Sequence, residues 1–257
     1  MRIAAPSCIY PAHIPENCQK IIQLHSGTAV HSHACVNEIA LMFFQGEPCL
    51  EYGEAELPPE LAELPMQWSV HLPLDLPIYA APTVENIKRS AEIIATLREK
   101  VAFLRPHTYV LHPPQKPEVL SGVLNFLQDM HFPVKDILLE NVEGILLENF
   151  SDIANRYGTG FCIDTGHMLA FQQKNSLTSA VLSRVRMVHI YSTPLDISGH
   201  KHHALDIMDE KTRDLLYCIL ENSPKLETIT LEVFSPEALE QSGNTLRLWL
   251  KDKGVSC

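Results

Sequence analysis

Six short apolar runs in this chain each end in a side chain able to bind a metal ion: Ser69-Val70-His71, Tyr109-Val-Leu-His112, Ile137-Leu-Leu-Glu140, Phe161-Cys-Ile-Asp164, Met187-Val-His189 and Thr230-Leu-Glu232. Three residues past Asp164 stands His167, and a histidine-rich tract, His200-Lys-His-His203, follows the fifth run. Carboxylates can bridge two cations while imidazoles cap them, and ions about 3.5 to 4 Å apart suit displacement at phosphorus or isomerisation of a bound sugar. Taken singly, a histidine or aspartate at a strand end is more often a satisfied structural group or a cap than a ligand. Six together argue the other way, because a buried carboxylate is costly unless it is paired or holds a cation.

Glu140, Asp164 and Glu232 are therefore the expected catalytic carboxylates, holding or bridging the cations, with His71, His112 and His189 completing their shells. His167 and one or more of His200, His202 and His203 are candidates for a further cation or a phosphate oxygen. Asp75 and Asn141 occupy rim positions suited to orienting a metal-bound histidine, touching substrate or simply turning the chain; with His200 and His202 they form the candidate substrate-binding set. Asp206 reads as a helix cap, and His107, like the remaining histidines outside strand ends, as solvated or capping. Cys162 stays in the wall of the site.

The elements that must carry these residues alternate. A strand is expected over Arg2 to Tyr10 and a helix over Pro15 to Leu24, then a strand from Val36 to Phe44 with Glu38 near its start or at the rim. Gln45 to Pro65, rich in Gly, Pro and Glu, reads as a long rim loop with one helical turn at Pro59 to Glu63. Beyond it, strands at Gln67–His71, Tyr109–His112, Asp136–Glu140, Phe161–Asp164, Arg186–His189 and Thr228–Glu232 are separated by helices at Thr83–Phe103, Glu118–Met130, Ile145–Tyr157, Ser176–Arg184 and Asp209–Asn222. Glu237–Lys253 is the closing helix, interrupted in pattern by Gly243. Prolines after His71 and His112 forbid further pairing of those strands. Strands alternating with helices imply a parallel sheet, and eight such units imply a closed (β/α)8 TIM barrel formed by residues 1–257 as one domain. All strand C-termini then open on one face, which turns the scattered ligand types into a bowl.

Composition agrees with a large buried core: 46% of the 257 residues are hydrophobic. No apolar stretch approaches the roughly 20 residues of a membrane helix, and the chain runs from Met1 straight into its first strand, so a cytoplasmic protein without membrane contact is expected. A formal charge of −11 argues against general nucleic-acid affinity. Seven irregularly spaced cysteines make neither a disulfide framework nor a paired zinc motif. Oligomeric state is not legible.

The order of these strand-end residues resembles the xylose-isomerase-like, or endonuclease-IV-like, barrel superfamily over nearly the whole chain. That resemblance implies metal-ligand roles for His71, His112, Glu140, Asp164, His167, His189, His203 and Glu232, with three zinc ions in the endonuclease branch. The endonuclease motif has an aspartate ligand two residues before the histidine matching His203, and Lys201 stands there in this chain. Within the superfamily, Ala5-Pro-Ser-Cys-Ile-Tyr-Pro-Ala12, Val36 to Phe44, His71-Leu-Pro-Leu-Asp-Leu76 and Leu139-Glu-Asn-Val-Glu143 resemble the cobamide-remodelling phosphodiesterase (CbiR) family. The resemblance implies hydrolysis of the nucleotide-loop phosphodiester of a small-molecule cobamide, using two or three divalent ions: zinc first, then manganese, iron or cobalt. Gln45 to Pro65 and Ser192 to Asp206 would then form the wall against the corrin ring. Rival readings are a sugar isomerase or epimerase using Glu140 and Glu232 around one metal, an abasic-site nuclease, and a non-catalytic metal or cobamide binder.

Overall fold

The apolar runs pair in the order in which they occur in the chain. The computed structural model describes residues 1–26, 36–193 and 202–255. Strands β1 (Arg2–Pro6), β2 (Glu38–Met42), β3 (Gln67–His71), β4 (Tyr109–Leu111), β5 (Ile137–Glu140), β6 (Gly160–Asp164), β7 (Val185–Ile190) and β8 (Thr228–Leu231) are all parallel to their neighbours, and β1 closes on β8 through the pair Arg2 and Thr228. The result is a closed eight-stranded α/β barrel, the (β/α)8 architecture expected from the alternation.

Side chains alternate across a strand, so each strand serves two cores. Ile39, Leu41, Ile137, Leu139, Phe161 and Ile163 belong to the main apolar core. The intervening residues Val110, Leu138, Cys162 and Met187 form a separate buried cluster inside the barrel. Two residues further along the same strands come His112, Glu140, Asp164 and His189. The ligand types thus form the next inward layer above an apolar floor.

Helices α1 (Ile14–Ser26), α2 (Gly46–Leu50), α3 (Pro77–Ala80), α4 (Val84–Lys100), α5 (Pro117–Asp129), α6 (Ser151–Tyr157), α7 (Thr165–Ala170), α8 (Ser179–Leu182), α9 (Glu210–Asn222) and α10 (Pro236–Asp252) fill the connections. Three of the long amphipathic ones begin at side-chain caps: Thr83 accepts from the Asn86 amide, Asp209 from Thr212 and Ser235 from Ala238. Asp206, expected as a cap, instead closes a tight turn onto the Met208 amide, leaving the cap of α9 to Asp209. Gly243 does not interrupt α10; it is buried within it. No helix among the described residues is long and apolar enough to cross a membrane.

Further expectations differ from the structure. The first strand stops at Pro6 rather than Tyr10, and the helix expected over 145–157 resolves into a 3-10 segment, Leu147–Phe150, followed by α6. The segment 45–65 is not a rim wall. It starts at the mouth, where the Gly46 amide donates to Asp75 Oδ1 at 2.7 Å, and forms α2. It then descends the outside of the barrel: Lys100 Nζ donates to the Tyr52 carbonyl at 2.8 Å, Leu57 and Leu61 are buried, and Gln67 enters β3 by donating to the Asn37 carbonyl. Burial of these leucines fixes that course, because the segment takes the place of the helix that would otherwise cover β2 and β3. Of the second expected wall, residues 194–201 lie outside the described residues.

Candidate metal centre

Glu140, at the end of β5, is the hub of the mouth. Its Oε2 lies 3.3 Å from His71 Nε2, 3.4 Å from His189 Nδ1 and 3.6 Å from His112 Nε2, while Oε1 lies 3.5 Å from His167 Nδ1. On the far side, Glu232 Oε2 lies 3.3 Å from His189 Nδ1 and 3.7 Å from His202 Nδ1. Asp164 closes the ring, its Oδ2 3.5 Å from His167 Nδ1. The three carboxylates are 1%, 0% and 6% exposed for Glu140, Asp164 and Glu232, too deep for water to carry their charge.

The backbone sets which nitrogen each histidine offers. A carbonyl only accepts, so His71 Nδ1, 2.9 Å from the Leu72 carbonyl, must carry the proton and leave Nε2 a lone pair toward Glu140. The same logic at the Asn141 carbonyl, 2.9 Å from His167 Nδ1, puts a proton on that nitrogen. His202 Nδ1 is held at 2.8 Å from the Glu232 carbonyl, and its ring stacks on Tyr191 with centroids 3.9 Å apart. Thr165 Oγ1 donates to the His189 carbonyl, and the Asp164 Oδ1 atom caps α7 by accepting from the His167 amide at 2.6 Å.

Electrostatics pull the carboxylates apart. Burial pushes Asp164 up, Glu232 and Glu140 add to that push, and together they outweigh His167. Burial acts on Glu140 and Glu232 too, but there the histidines win: His189 and His112 hold Glu140 well below the usual range, and His189 holds Glu232 at about 2. Burial opposes the charge on His167, yet Asp164 and Glu140 raise it to about 9. Among the described residues every ion-pair partner of the three carboxylates is a histidine; no lysine or arginine supplies permanent positive charge.

The donor set fits divalent metal. Glu140 Oε2, Asp164 Oδ2, Glu232 Oε2 and His189 Nδ1 are all buried without a hydrogen-bond partner. Ligand atoms of Glu140, Asp164, His189 and Glu232 lie within 4.8 Å of one another, as do those of His71, His112 and Glu140 and those of His71, His189 and Glu232. Glu140 belongs to two of these groups, as a bridging carboxylate would. Cys162 also meets Glu140 and His189 in such a group, though burial first of all pushes its thiol up to about 12, which favours a neutral wall residue.

The other sequence candidates divide by geometry. Asp75 is exposed and ties α2 to the loop after β3. Asn141 is 1% exposed, and both its amide hydrogens are spent, on the Asp164 carbonyl and Gln173 Oε1, while its Oδ1 accepts from the Asp164 amide. It locks β6 to β5 and offers no free donor to a substrate. His203 pairs its backbone with Ser192, lines a separate cavity with Ser192 and Asp209, and has a buried Nε2 without a hydrogen-bond partner among the described residues. His200 lies outside the described residues. His107 is not a surface residue of no consequence: its Nε2 lies 2.9 Å from Glu38 Oε2 at the opposite end of the barrel.

Sequence reading passed over Tyr191, Phe234, Gln173 and Cys8. The first two were discoverable, since each sits two residues beyond a ligand candidate, His189 or Glu232, and so shares its inward side. Tyr191 is fully buried against Gly166, where a Cβ would overlap its ring. Phe234 meets the His202 ring edge-on with centroids 4.9 Å apart. Cys8 lies near enough to Glu232 for that charge to add to burial in raising its thiol to about 12.

Neither a protein-family model nor a curated protein sequence matches this chain. Among solved structures it is similar to a D-tagatose 3-epimerase-like protein, with a TM-score of 0.75 at 18% identity over 99% of this chain and 98% of that one. It is also similar to endonuclease IV from Thermus thermophilus, with a TM-score of 0.71 at 19% identity over 98% and 100% of the two chains. A third is the IOLI protein with a bound zinc atom, with a TM-score of 0.64 at 13% identity over 98% and 99%. These likenesses establish the fold, a closed (β/α)8 TIM barrel.

Proposed function

We propose that this protein is a cytoplasmic, metal-dependent phosphodiesterase that hydrolyses the nucleotide-loop phosphodiester of cobamides. The observation that carries the metal-dependent part is Glu140, a fully buried carboxylate shared by two groups of converging ligand atoms and flanked by two more buried carboxylates. The histidine share of the donor set favours zinc over magnesium. Divalent cations bound there would lower the pKa of water and neutralise charge on the non-bridging oxygens of a phosphodiester.

The chain's own part is placement. Glu140, Asp164 and Glu232 hold the charge, and His71, His112 and His189 complete the two overlapping cages. His112, His167 and His202, whose side chains are 23%, 13% and 21% exposed, are the members that a substrate entering the mouth meets first. His167 and His202 are placed to meet the departing oxygen. In this reading the third-metal role that the family resemblance gives His203 would fall to His202, supported by its position 3.7 Å from Glu232. The choice of a cobamide rests on the sequence resemblance in the segments around Ala5, His71 and Leu139, and an apolar approach to the mouth at Phe44, Leu74 and Phe234 suits a large organic substrate.

A sugar epimerase is the second reading. The group of Glu140, Asp164, His189 and Glu232 would by itself serve one ion between two strand-end glutamates, and an epimerase-like protein shares the fold. Incubating zinc-, manganese- or cobalt-loaded protein with a cobamide and following cobinamide release by chromatography separates the readings. Release by wild type, reduced at least about 100-fold in Glu140→Gln, is the expected result. No cleavage with any of the metals, together with interconversion of ketohexoses, would replace it with the epimerase.

A further inference from the structure

A cavity of about 400 Å³ opens at the barrel mouth beside the candidate metal centre, over the ends of β3, β4 and β5. Leu74, Ile78, Val119 and Ile145, with Pro113 and Pro114, make the apolar part of its lining. Proline fixes its own backbone, so this wall is formed before any ligand arrives. His112 is at once a wall of the cavity and a neighbour of Glu140 at 3.6 Å. Tyr79, also in the wall, donates its hydroxyl to the His112 carbonyl at 2.6 Å, so cavity and candidate ligand are one rigid unit. Lys116 and Glu143 supply the charged lining, one of each sign, so the cavity carries no net bias toward an anion.

From this continuity we infer that the cavity is the subsite for the heterocyclic base and pentose of the substrate's nucleotide arm, and that it sets the size of base accepted. The inference rests on the phosphodiesterase reading above. Three features select the occupant. The volume lies at the small end of the about 300–1,000 Å³ range of ligand sites, which suits a fused two-ring base with its sugar and not a macrocycle. The proline and aliphatic side chains of the lining suit the faces of an aromatic ring, while Lys116, Glu143 and Gln115 offer hydrogen bonds to sugar hydroxyls. The shared wall at His112 puts anything attached to that sugar, including a phosphate, over the metal-binding carboxylates. The bulkier arm of the diester is left the open side of the mouth, where Phe44 and Phe234 pack edge to face with 42% and 38% of their surfaces exposed.

The test is equilibrium binding of benzimidazole riboside to zinc-loaded protein by calorimetry, with ribose 5-phosphate as a probe lacking the base. Val119→Phe narrows the cavity and should weaken riboside binding at least tenfold while leaving zinc content unchanged and weakening ribose 5-phosphate, which lacks the base, less. Leu74→Glu, at an exposed position that folding does not depend on, should give the same loss by placing a carboxylate at the apolar edge. Equal riboside affinity in wild type and in Leu74→Glu, or no riboside binding by wild type, would overturn the subsite. Riboside binding that is lost in the variants of a protein that does not cleave cobamides would sink the phosphodiesterase and keep the subsite. Cobamide cleavage with KM unchanged in both variants would do the reverse.

Discussion

Two histidines approach the same oxygen of Glu232, His189 from below at 3.3 Å and His202 from the loop after β7 at 3.7 Å. His202 is held from three sides, by the Glu232 carbonyl, the Tyr191 face and the Phe234 edge, which fixes its ring as a ligand shell requires. Burial, the largest influence on it, keeps its pKa below the usual imidazole value, leaving a neutral ring with its proton on Nδ1 at the Glu232 carbonyl and its lone pair on Nε2. Replacement by alanine should therefore cost about 10–100-fold in metal affinity. His203→Ala should cost less, because among the described residues no ion pair ties that ring to a carboxylate of the centre, whereas His202 lies 3.7 Å from Glu232. Metal content after dialysis against graded chelator decides between them, and an equal or larger loss in His203→Ala would return the ligand role to His203. At this scale the residue types were legible in the sequence and their use was not. The strand-end rule found Glu140, Asp164 and Glu232 from one-dimensional spacing, but whether Asn141 faces substrate or the backbone of β6 depends on hydrogen bonds to residues 23 and 32 positions away.

The strands carry a second polar cluster at the end opposite the mouth. Glu38, the first residue of β2, is 0% exposed and bound through one oxygen to Arg2 of β1 at 3.0 Å, to His107 before β4 at 2.9 Å and to Thr228 of β8 at 3.1 Å. These contacts stitch the barrel closure, where β1 meets β8. Burial pushes the Glu38 carboxyl up, but the His107 hydrogen bond and the charges of His107 and Arg2 outweigh it and hold it below the ordinary value of 4.5. A carboxylate depressed in the folded state stabilises above its unfolded pKa and loses that contribution as pH falls through its folded one. Glu38→Gln should thus cost about 1–3 kcal/mol at neutral pH and nearly nothing well below pH about 4, a convergence that urea unfolding across pH would show. A constant difference at all pH values would mean that the charge is idle. Of the two places the sequence allowed Glu38, the strand start and the rim, it takes the first. It could not pair it with His107, because the two come together only when the barrel closes.

As a whole the barrel concentrates three carboxylates in one buried layer above an apolar floor of Val110, Leu138, Cys162 and Met187. Such a layer destabilises the folded chain unless cations compensate it, so metal binding and folding stability are linked. Added zinc at 100 times its dissociation constant should raise the unfolding free energy by about 2.7 kcal/mol, measured as a shift in the urea midpoint. In Glu140→Gln, which loses the shared carboxylate, the shift should shrink by more than half. A midpoint indifferent to zinc in wild type would remove the metal centre from this reading.

The alternation of elements, the closure of eight strands and the layer of histidines and carboxylates at the strand ends were legible in the chain, because each follows from local periodicity: apolar runs of fixed length, turn residues between them and a polar side chain at the end of each run. Tertiary structure alone decided that residues 45–65 run down the outside instead of walling the mouth, that His202 and not its neighbour reaches Glu232, and that Tyr191 packs closely against Gly166 beneath it. Those outcomes depend on which surface a loop can bury and on which lone pair remains after the backbone has taken its share, and both are set by residues far away in the chain.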